Sequence, residues 1–322
     1  MDPSTRIHVA GHRGLVGSAL LGALERAGCR DLLLRTRAEL DLADAAATDR
    51  FYAETKPEVV FLAAARVGGI HANSTYPADF IRDNLAIQLS VIEAAHRHGA
   101  KRLIFLGSSC IYPRECPQPM AETSLLTGPL ESTNRPYALA KIAGIEMCSA
   151  YNRQYGTRFL AVMPTNLYGP GDNYDLENSH VLPALIRKMH EARVRGDREV
   201  VIWGSGTPRR EFLYSDDLAE ACLHLAGLED ATFDELLAEG DFPLVNVGVG
   251  EDLTVRELAE LTAEVVGFHG DLVQDTTRPD GTPRKLLDVS KMRRFGWRPR
   301  VGLREGIVLA YEDFLDRYDQ SP

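Results

Sequence analysis

The fold of this chain is decided by residues 7–17, which read Ile7-His8-Val9-Ala10-Gly11-His12-Arg13-Gly14-Leu15-Val16-Gly17. The first four residues predict a buried strand, and the apolar periodicity after them predicts a helix from Leu15 to Ala27. Glycine between the two elements lets the backbone turn tightly, approach a pyrophosphate and pack the helix close to the strand. The free N–H groups at the start of the helix attract the same phosphates. This stretch therefore predicts a dinucleotide-binding strand, turn and helix.

Apolar runs alternate with helix-like segments on both sides of this stretch. Further strands are predicted at 32–34, 59–62, 103–106 and 159–163, and further helices at about 78–98 and 136–155. Each strand is apolar throughout, as expected when helices cover both faces of a parallel sheet. The pattern predicts an α/β fold, a Rossmann-type doubly wound parallel sheet with a smaller α/β substrate lobe towards the C-terminus.

Two domains are expected from the change in this pattern. The nucleotide-binding domain is predicted at 1–170, with a returning segment near 211–245. The substrate-binding lobe is predicted mainly within 171–322, where the strict alternation of strand and helix ends, so the lobe is discontinuous.

The end of the second strand distinguishes between the two nicotinamide dinucleotides. An acidic residue there holds the ribose 2′-hydroxyl of NAD, whereas arginine accommodates the 2′-phosphate of NADP. This chain has Arg35 and Arg37 at that place, and Arg13 lies in the glycine turn. Guanidinium groups form strong, often bidentate hydrogen bonds to phosphate. The sequence therefore predicts NADP(H) as the cofactor, with Asp41 near the adenine.

A tyrosine and a lysine lie four residues apart in the predicted helix at 136–155. Tyr137 and Lys141 share one face of that helix. A lysine beside a tyrosine stabilises the phenolate and lowers its pKa, and the ammonium can hold a ribose hydroxyl. Ser108 follows the strand at 103–106 and can share a substrate oxygen with the tyrosine. Together these three residues predict a site for hydride transfer to or from a carbonyl carbon.

Composition and charge argue against several other classes. The chain has 322 residues, of which 44% are hydrophobic, enough for an ordinary globular core. Its net charge of −10, without a Lys/Arg run, indicates no nucleic-acid partner. No apolar stretch is long enough for a membrane span, and a cytoplasmic protein is expected. The five cysteines lack zinc-type spacing, so a reducing compartment and no metal are predicted.

The chain resembles the extended short-chain dehydrogenase/reductase family almost from end to end. Within it, five motifs are similar to those of the GDP-L-fucose synthases: Gly11-His12-Arg13-Gly14, Ala63-Ala64-Ala65-Arg66-Val67-Gly68-Gly69-Ile70, Ser108-Ser109-Cys110-Ile111-Tyr112-Pro113, Pro164-Thr165-Asn166-Leu167-Tyr168-Gly169-Pro170 and Pro279-Asp280-Gly281-Thr282-Pro283-Arg284-Lys285. One departure is Arg66, where that family often carries lysine, which is also a cation.

The resemblance implies an epimerisation and a reduction in one pocket. GDP-4-keto-6-deoxy-D-mannose would be epimerised at C3 and C5 and then reduced at C4 with NADPH, giving GDP-L-fucose. The 4-keto group acidifies the hydrogens on both neighbouring carbons, so proton exchange there needs a base and an acid besides the tyrosine. The resemblance implies Cys110 as the base and His180 as the acid. It also implies a homodimer packed through the helices at 78–98 and 137–155.

Further contacts are expected from the same resemblance. Those to the substrate are Asn166, Lys188, Trp203, Arg210 and Asp280. Those to the cofactor are Gly11, His12, Arg13, Gly14, Leu15, Val16, Gly17, Arg37, Leu40, Asp41, Leu42, Leu106, Gly107, Ser108, Ser109, Lys141, Pro164, Thr165, Asn166, Leu167 and His180.

Two alternatives stay open at this point. One is an NAD-recycling 4-epimerase or 4,6-dehydratase of the same fold. Dehydratases of this kind place a carboxylate pair beside the catalytic serine, where this chain has Cys110. The other is a noncatalytic module that senses the cofactor, which would be expected to lack Tyr137 or Lys141; both are present.

Overall fold

The computed structural model describes residues 2–176, 179–278 and 280–318, apart from the side chains of residues 70 and 71. Its strands are β1 (Ile7–Ala10), β2 (Leu32–Leu33), β3 (Val59–Leu62), β4 (Arg102–Leu106), β5 (Phe159–Pro164), β6 (Asn166–Tyr168), β7 (Glu199–Trp203), β8 (Arg209–Arg210), β9 (Phe212–Tyr214), β10 (Leu244–Val247), β11 (Leu253–Thr254), β12 (Asp271–Asp275) and β13 (Arg284–Lys285). Its α-helices are α1 (Leu15–Arg26), α2 (Ala45–Thr55), α3 (Ile70–Thr75), α4 (Pro77–Arg97), α5 (Arg135–Tyr155), α6 (Val181–Arg195), α7 (Ser215–Ala226), α8 (Asp230–Ala238), α9 (Val255–Val266), α10 (Ser290–Arg294) and α11 (Leu303–Tyr318).

Six strands form the central sheet, in the order β10-β5-β4-β3-β1-β2. Every neighbouring pair is parallel; Ile7 of β1 lies opposite Val59 of β3, for example, and Leu244 of β10 lies opposite Ala161 of β5. The strand order reverses at β1, so a crevice opens above the carboxyl ends of β1 and β3, where ligands bind in such sheets. The predicted Rossmann-type doubly wound sheet is confirmed.

Helices cover both faces of this sheet. On one face α1 packs against α7, over a core that includes Val9 and Phe61. On the other face α2, α4 and α5 pack over a core that includes Val60 and Phe105. Adjacent residues of one strand therefore face opposite cores, which explains why the strands are apolar throughout.

The predicted helices lie within one or two residues of those observed. A capping box begins α9, because the Thr254 hydroxyl accepts a hydrogen bond from the N–H of Glu257, and the Glu257 carboxylate accepts one from the N–H of Thr254. The sequence pattern did not predict α2, whose apolar face is narrow; Asp44 caps it by accepting from the N–H of Ala47.

The C-terminal part of the chain forms three small sheets beside the large one. They are the parallel pair β7–β12, the parallel pair β6–β9, and β11-β8-β13. Helices α6, α9 and α11 pack on a third apolar core that includes Tyr174 and Phe314. Strand β10 returns to the edge of the central sheet beside β5. The domain bounds given above stay a prediction, although these placements bring β8 and β13 close to the loops that follow β4 and β5.

Candidate active site

A glycine turn joins β1 to α1 at the carboxyl edge of the sheet. Gly11 has a φ of +87°, and a Cβ there would lie 2.7 Å from the backbone nitrogen of Ala64. A Cβ on Gly17 would lie 2.0 Å from the carbonyl oxygen of Gly11. Gly14 caps α1 without a side-chain hydrogen bond, so the first-turn N–H groups keep no side-chain acceptor. The turn thus fits the pyrophosphate of a dinucleotide.

The side chains of the turn add polar groups to this cradle. Nδ1 of His12 is buried and has no hydrogen-bond partner among the described residues. Arg13 beside it is exposed, and Leu15 and Val16 are half-buried at the start of α1. A buried polar atom without a partner is uncommon in folded proteins, so it marks a place where a bound group would complete the site.

The segment after β2 carries the side chains predicted to select NADP. The Arg37 side chain is 81% exposed, and its guanidinium lies 3.7 Å from the Asp41 carboxylate. Arg35 is exposed as well, whereas Leu40 is buried in the core and Leu42 packs against it. The two arginines are therefore open to a 2′-phosphate, and the leucines hold the segment on the domain.

The loop after β4 holds the predicted serine. Leu106 ends the strand, and a Cβ on the following Gly107 would lie 1.7 Å from Cε of Met163. Ser108 then caps a short 3₁₀ helix that runs from Ser109 to Ile111, and its Oγ accepts a hydrogen bond from the N–H of Cys110 at 3.5 Å. Close packing at Gly107 therefore fixes Ser108 above the sheet edge.

Lys141 is buried in α5, directly behind this loop. Its Nζ donates a hydrogen bond to the carbonyl oxygen of Leu106 at 2.7 Å. The same nitrogen lies 4.8 Å from the ring centroid of Phe105 and 5.8 Å from that of Tyr137. Burial lowers the pKa of Lys141 to about 8.

The pKa of the Tyr137 phenol is raised, whereas the sequence predicted that it would be lowered. Burial raises its pKa above the usual value and the neighbouring Cys110 raises it further, while a hydrogen bond with Ser108 opposes the rise. The predicted lowering of this pKa by Lys141 is wrong for the described residues, because the ammonium is bound to a carbonyl and lies over the ring. Tyr137 is therefore a protonated phenol at neutral pH, able to donate its proton.

Cys110 and His180 both border the same site. Burial raises the pKa of the Cys110 thiol, against the opposing effects of a hydrogen bond with Ser108 and the charges of Lys285 and Lys141. His180 stands immediately before α6 and is exposed on one side, while the protein atoms that crowd its ring, together with the charge of Lys285, lower its pKa. The charge of Lys285 therefore lowers the pKa of both groups. Lys285 ends the motif at 279–285, but the sequence predicted no role for it.

The end of β7 carries an aromatic platform flanked by cations. Trp203 is 48% exposed. Lys188 and Arg278 each place a cationic group 4.7 Å from its ring centroid, and the Lys188 ammonium also donates to the carbonyl oxygen of Val201 at 3.3 Å. The sequence did not predict a role for Arg278, because Trp203, which it contacts, is distant from it along the chain.

Arg210 and Asp280 meet next to this platform. A guanidinium nitrogen of Arg210 donates to the backbone carbonyl of Asp280 at 3.4 Å, and the Asp280 carboxylate accepts from the N–H of Ser205 at 2.7 Å. Burial lowers the pKa of Arg210. The structure therefore brings together four of the predicted substrate contacts: Lys188, Trp203, Arg210 and Asp280.

A buried carboxylate supports the loop that follows β5. Glu211 is fully buried and accepts hydrogen bonds from the N–H groups of Val249 and Gly250, each at 2.7 Å, and of Leu287 at 3.0 Å. Its own carbonyl accepts from Thr165 Oγ1 at 3.1 Å and Asn166 Nδ2 at 2.8 Å. The segment from the end of β5 into β6, which includes the predicted contacts Pro164 and Leu167, is thus joined to the chain that follows β13. No local sequence signal distinguishes Glu211 from a surface glutamate.

Comparison with known proteins agrees with this geometry. The family model described as NAD dependent epimerase/dehydratase family matches residues 7–234. A GDP-L-fucose synthase 1 from Arabidopsis thaliana is 56% identical, over 98% of this chain and 94% of its own length. The GDP-L-fucose synthase of Escherichia coli is 52% identical, over 98% of both chains. The chain belongs to the GDP-L-fucose synthase family.

Solved structures related to this family superpose along the whole fold. A GDP-mannoheptose C4 reductase from Campylobacter jejuni with NADP bound has a TM-score of 0.89 and 38% identity, over 98% of this chain and 99% of that one. Among the residues described here, no helix has the length and apolar character needed to traverse a membrane. Within the same residues, no cluster of His, Cys, Asp and Glu side chains suits a metal ion.

Proposed function

We propose that this protein converts GDP-4-keto-6-deoxy-D-mannose to GDP-L-fucose, first epimerising C3 and C5 and then reducing the C4 ketone. The observation that carries the proposal is the thiol of Cys110, held by the 3₁₀ turn that Ser108 caps, beside the phenol of Tyr137. The C4 oxygen of a substrate bound there would contact the hydroxyls of Ser108 and Tyr137, while the neighbouring carbons C3 and C5 would lie near the thiol of Cys110.

Epimerisation would use the thiol and the imidazole on opposite faces of the sugar. The Cys110 thiolate takes the proton from C3 or C5, and the electron pair of the broken C–H bond forms an enolate on the C4 oxygen. The hydroxyls of Ser108 and Tyr137 donate hydrogen bonds to that oxygen as its charge develops. His180 in its protonated form returns a proton to the other face of the carbon. The carbon is inverted, and a proton exchange restores both side chains.

Reduction would use the same oxygen site. NADPH, when bound, supplies a hydride to C4. Tyr137, a phenol that is protonated at neutral pH, gives its proton to the C4 oxygen as the hydride arrives. Lys141 holds the loop carbonyl of Leu106 in place next to this site.

NADP(H) is the cofactor that the residues present would accept. Its pyrophosphate fits the turn at Gly11, Gly14 and Gly17, and its 2′-phosphate fits the exposed guanidinium groups of Arg13 and Arg37. The family includes proteins solved with NADP, which supports the same choice.

The nucleotide end of the substrate would lie on the C-terminal part of the chain. The pyrophosphate would meet the cations Lys188 and Arg210, and the exposed ring of Trp203 offers a stacking surface for a base or sugar. Asp280 already accepts a backbone N–H on one oxygen, and its second oxygen, which accepts no hydrogen bond from the described residues, would accept one from a guanine edge or a sugar hydroxyl. Asn166 would contact the sugar.

A C4 reductase without epimerase activity is the second candidate, because the GDP-mannoheptose C4 reductase shares the fold at a TM-score of 0.89. The two are distinguished by adding GDP-4-keto-6-deoxy-D-mannose and NADPH to the purified protein, following absorbance at 340 nm and identifying the sugar by NMR. The L-sugar is the expected product. Formation of the unepimerised D-sugar, or no oxidation of NADPH, would contradict the proposal and remove Cys110 and His180 from these roles.

We also propose a homodimer formed through α4 and α5, which pack against each other. Leu85, Leu89 and Leu139 on these helices are 37%, 56% and 44% exposed, an apolar surface that a second copy would cover. Light scattering of the wild type and of Leu89→Lys tests this, with a monomeric wild type contradicting it. A cytoplasmic location is proposed too, because the five cysteines are free thiols; cell fractionation tests it.

A further inference from the structure

Lys285 is carried by a strand that is held on both sides. It lies at the end of β13, which runs parallel to β8, and it is opposite Arg210. The N–H of Leu286 donates to the side-chain oxygen of Gln118 at 2.9 Å, and the N–H of Leu287 donates to the buried carboxylate of Glu211 at 3.0 Å. The backbone next to Lys285 is therefore fixed in two directions.

The side chain of Lys285 shares a small cavity with the thiol of Cys110. Glu131 and Arg284 line the same cavity. Lys285 is half-buried, and its ammonium group makes no hydrogen bond or ion pair within the described parts of the chain. Arg284, its neighbour on the strand, is instead paired with the buried carboxylate of Asp252. The charge of Lys285 is thus directed at the cavity, whereas that of Arg284 is neutralised.

The other charged and titratable groups around the thiol are already engaged. Lys141 is bound to the carbonyl of Leu106, and Tyr137 is a phenol. Glu131, which faces Lys285 across the cavity, pairs with Arg114 at 3.5 Å. Arg210 faces Lys285 from β8, and its positive charge lowers the pKa of Lys285.

The charge of Lys285 acts on both proposed proton-transfer groups. It opposes the effect of burial on the pKa of Cys110, and it adds to the effect of burial on the pKa of His180. A cation near a thiol favours the thiolate, and a cation near an imidazolium makes that group a stronger acid. Both changes help a reaction in which the sulfur accepts a proton and the imidazolium returns one.

We propose that Lys285 is a positioning residue for epimerisation, its ammonium group lying across a small cavity from the Cys110 sulfur and acting through Cys110 and His180. This inference rests on the proposed function for its consequence in catalysis. When the proton leaves C3 or C5 for the sulfur, the negative charge moves from the sulfur to the C4 oxygen. Lys285 stabilises the charged sulfur before that transfer. Reduction of C4 uses neither the thiol nor the imidazole, so it does not depend on Lys285.

The first experiment measures the charge effect without substrate or cofactor. Full-length wild type, Lys285→Met and Lys285→Arg are treated with neutral iodoacetamide from pH 6 to 10, and alkylation of Cys110 is followed by peptide mass spectrometry. Arg284→Met is the matched control, because its cation is already paired. We expect the pH midpoint to rise by about one unit in Lys285→Met and to stay near the wild-type value in the other two. Cys148, buried with a pKa of about 12, is the internal reference.

The second experiment separates the two half-reactions. Epimerisation is followed as deuterium exchange from solvent into C3 and C5 of GDP-4-keto-6-deoxy-D-mannose, and C4 chemistry as oxidation of GDP-L-fucose with NADP⁺. Lys285→Met should slow exchange about tenfold near neutral pH, since about one pKa unit removes most of the thiolate, and slow oxidation less than about threefold.

Three outcomes would overturn the role of Lys285. The first is an unchanged pH midpoint of Cys110 alkylation in Lys285→Met. The second is a Lys285→Arg variant that shows the same change as Lys285→Met although both unfold at the same temperature. The third is an equal loss of deuterium exchange and of oxidation in Lys285→Met. A wild type that catalyses neither reaction would instead overturn the proposed function. In that case the alkylation experiment would still decide whether Lys285 acts on Cys110.

Discussion

Gly17→Ala is expected to damage the cofactor cradle while leaving the fold intact. A Cβ at this position would lie 2.0 Å from the carbonyl oxygen and 2.6 Å from the carbonyl carbon of Gly11. Ordinary contacts begin near 3.4 Å, so α1 and the turn must separate by about 1.4 Å, and both partners are backbone. The first-turn N–H groups would then miss the phosphates they are aimed at.

The size of the effect follows from the hydrogen bonds at risk. Hydrogen bonds from N–H groups to a charged acceptor contribute about 1.5–3 kcal/mol each, so losing one weakens NADPH binding about 10- to 100-fold. Overpacking of this kind also lowers the free energy of unfolding by about 1–3 kcal/mol. Calorimetric titration with NADPH measures the first effect, and thermal unfolding measures the second.

Gly22→Ala is the matched control for this prediction. It lies in the same helix, and its Cβ would meet only the end of the Arg26 side chain, at 3.2 Å. Because alanine is favoured over glycine inside a helix by about 0.5–1 kcal/mol, this variant should bind NADPH normally and unfold no earlier than the wild type. The reasoning is refuted if Gly17→Ala binds NADPH as tightly as Gly22→Ala does.

Three more predictions concern other parts of the molecule. Arg37→Ala should weaken NADPH binding about tenfold and leave NADH binding unchanged, as compared by titration with both, because only NADPH carries the 2′-phosphate; equal losses would contradict this. Glu211→Gln replaces a carboxylate oxygen with an NH₂ group, which would face a backbone N–H such as that of Leu287. The free energy of unfolding, measured in urea, should fall by about 1–3 kcal/mol, and an unchanged value would contradict this. His8 is buried against the Tyr52 hydroxyl, and burial lowers its pKa from 6.5 to about 3, so below pH 6.5 the unfolded chain binds a proton that the folded chain excludes. From pH 7 to pH 5 the free energy of unfolding of the wild type should therefore fall by about 2 kcal/mol more than that of His8→Gln, and equal pH dependences of the two proteins would contradict this.

Much of the fold and the family could be predicted from local patterns. The packing of α1 on the glycine turn is specified locally, since a Cβ at Gly17 would collide with the backbone of Gly11, whereas the contact that excludes a Cβ at Gly11 is made by Ala64, which follows β3. The spacing of Tyr137 and Lys141 on one helix needs no tertiary information. The motif beginning at Ser108 likewise lies in one loop.

The roles of several residues could not be predicted in this way. Glu211 acquires its three N–H partners from Val249, Gly250 and Leu287, which are distant in sequence and meet only when β13 packs beside β8. The expected acidity of Tyr137 was wrong for a similar reason. Spacing brings Lys141 to the same helix face, but the partner of its ammonium, the carbonyl of Leu106, is selected by the packing of α5 on β4.

The sequence alone determined the doubly wound sheet, the phosphate cradle, the cofactor class and the family, because each depends on residue types at short, fixed spacings. Only the tertiary structure decided which charges share the pocket. Lys285 reaches Cys110 through a cavity, and Arg278 joins Lys188 over Trp203, because strands far apart in the chain end at one edge. Electrostatic effects depend on distance through space and on burial, and neither is encoded in the spacing of residues along the chain.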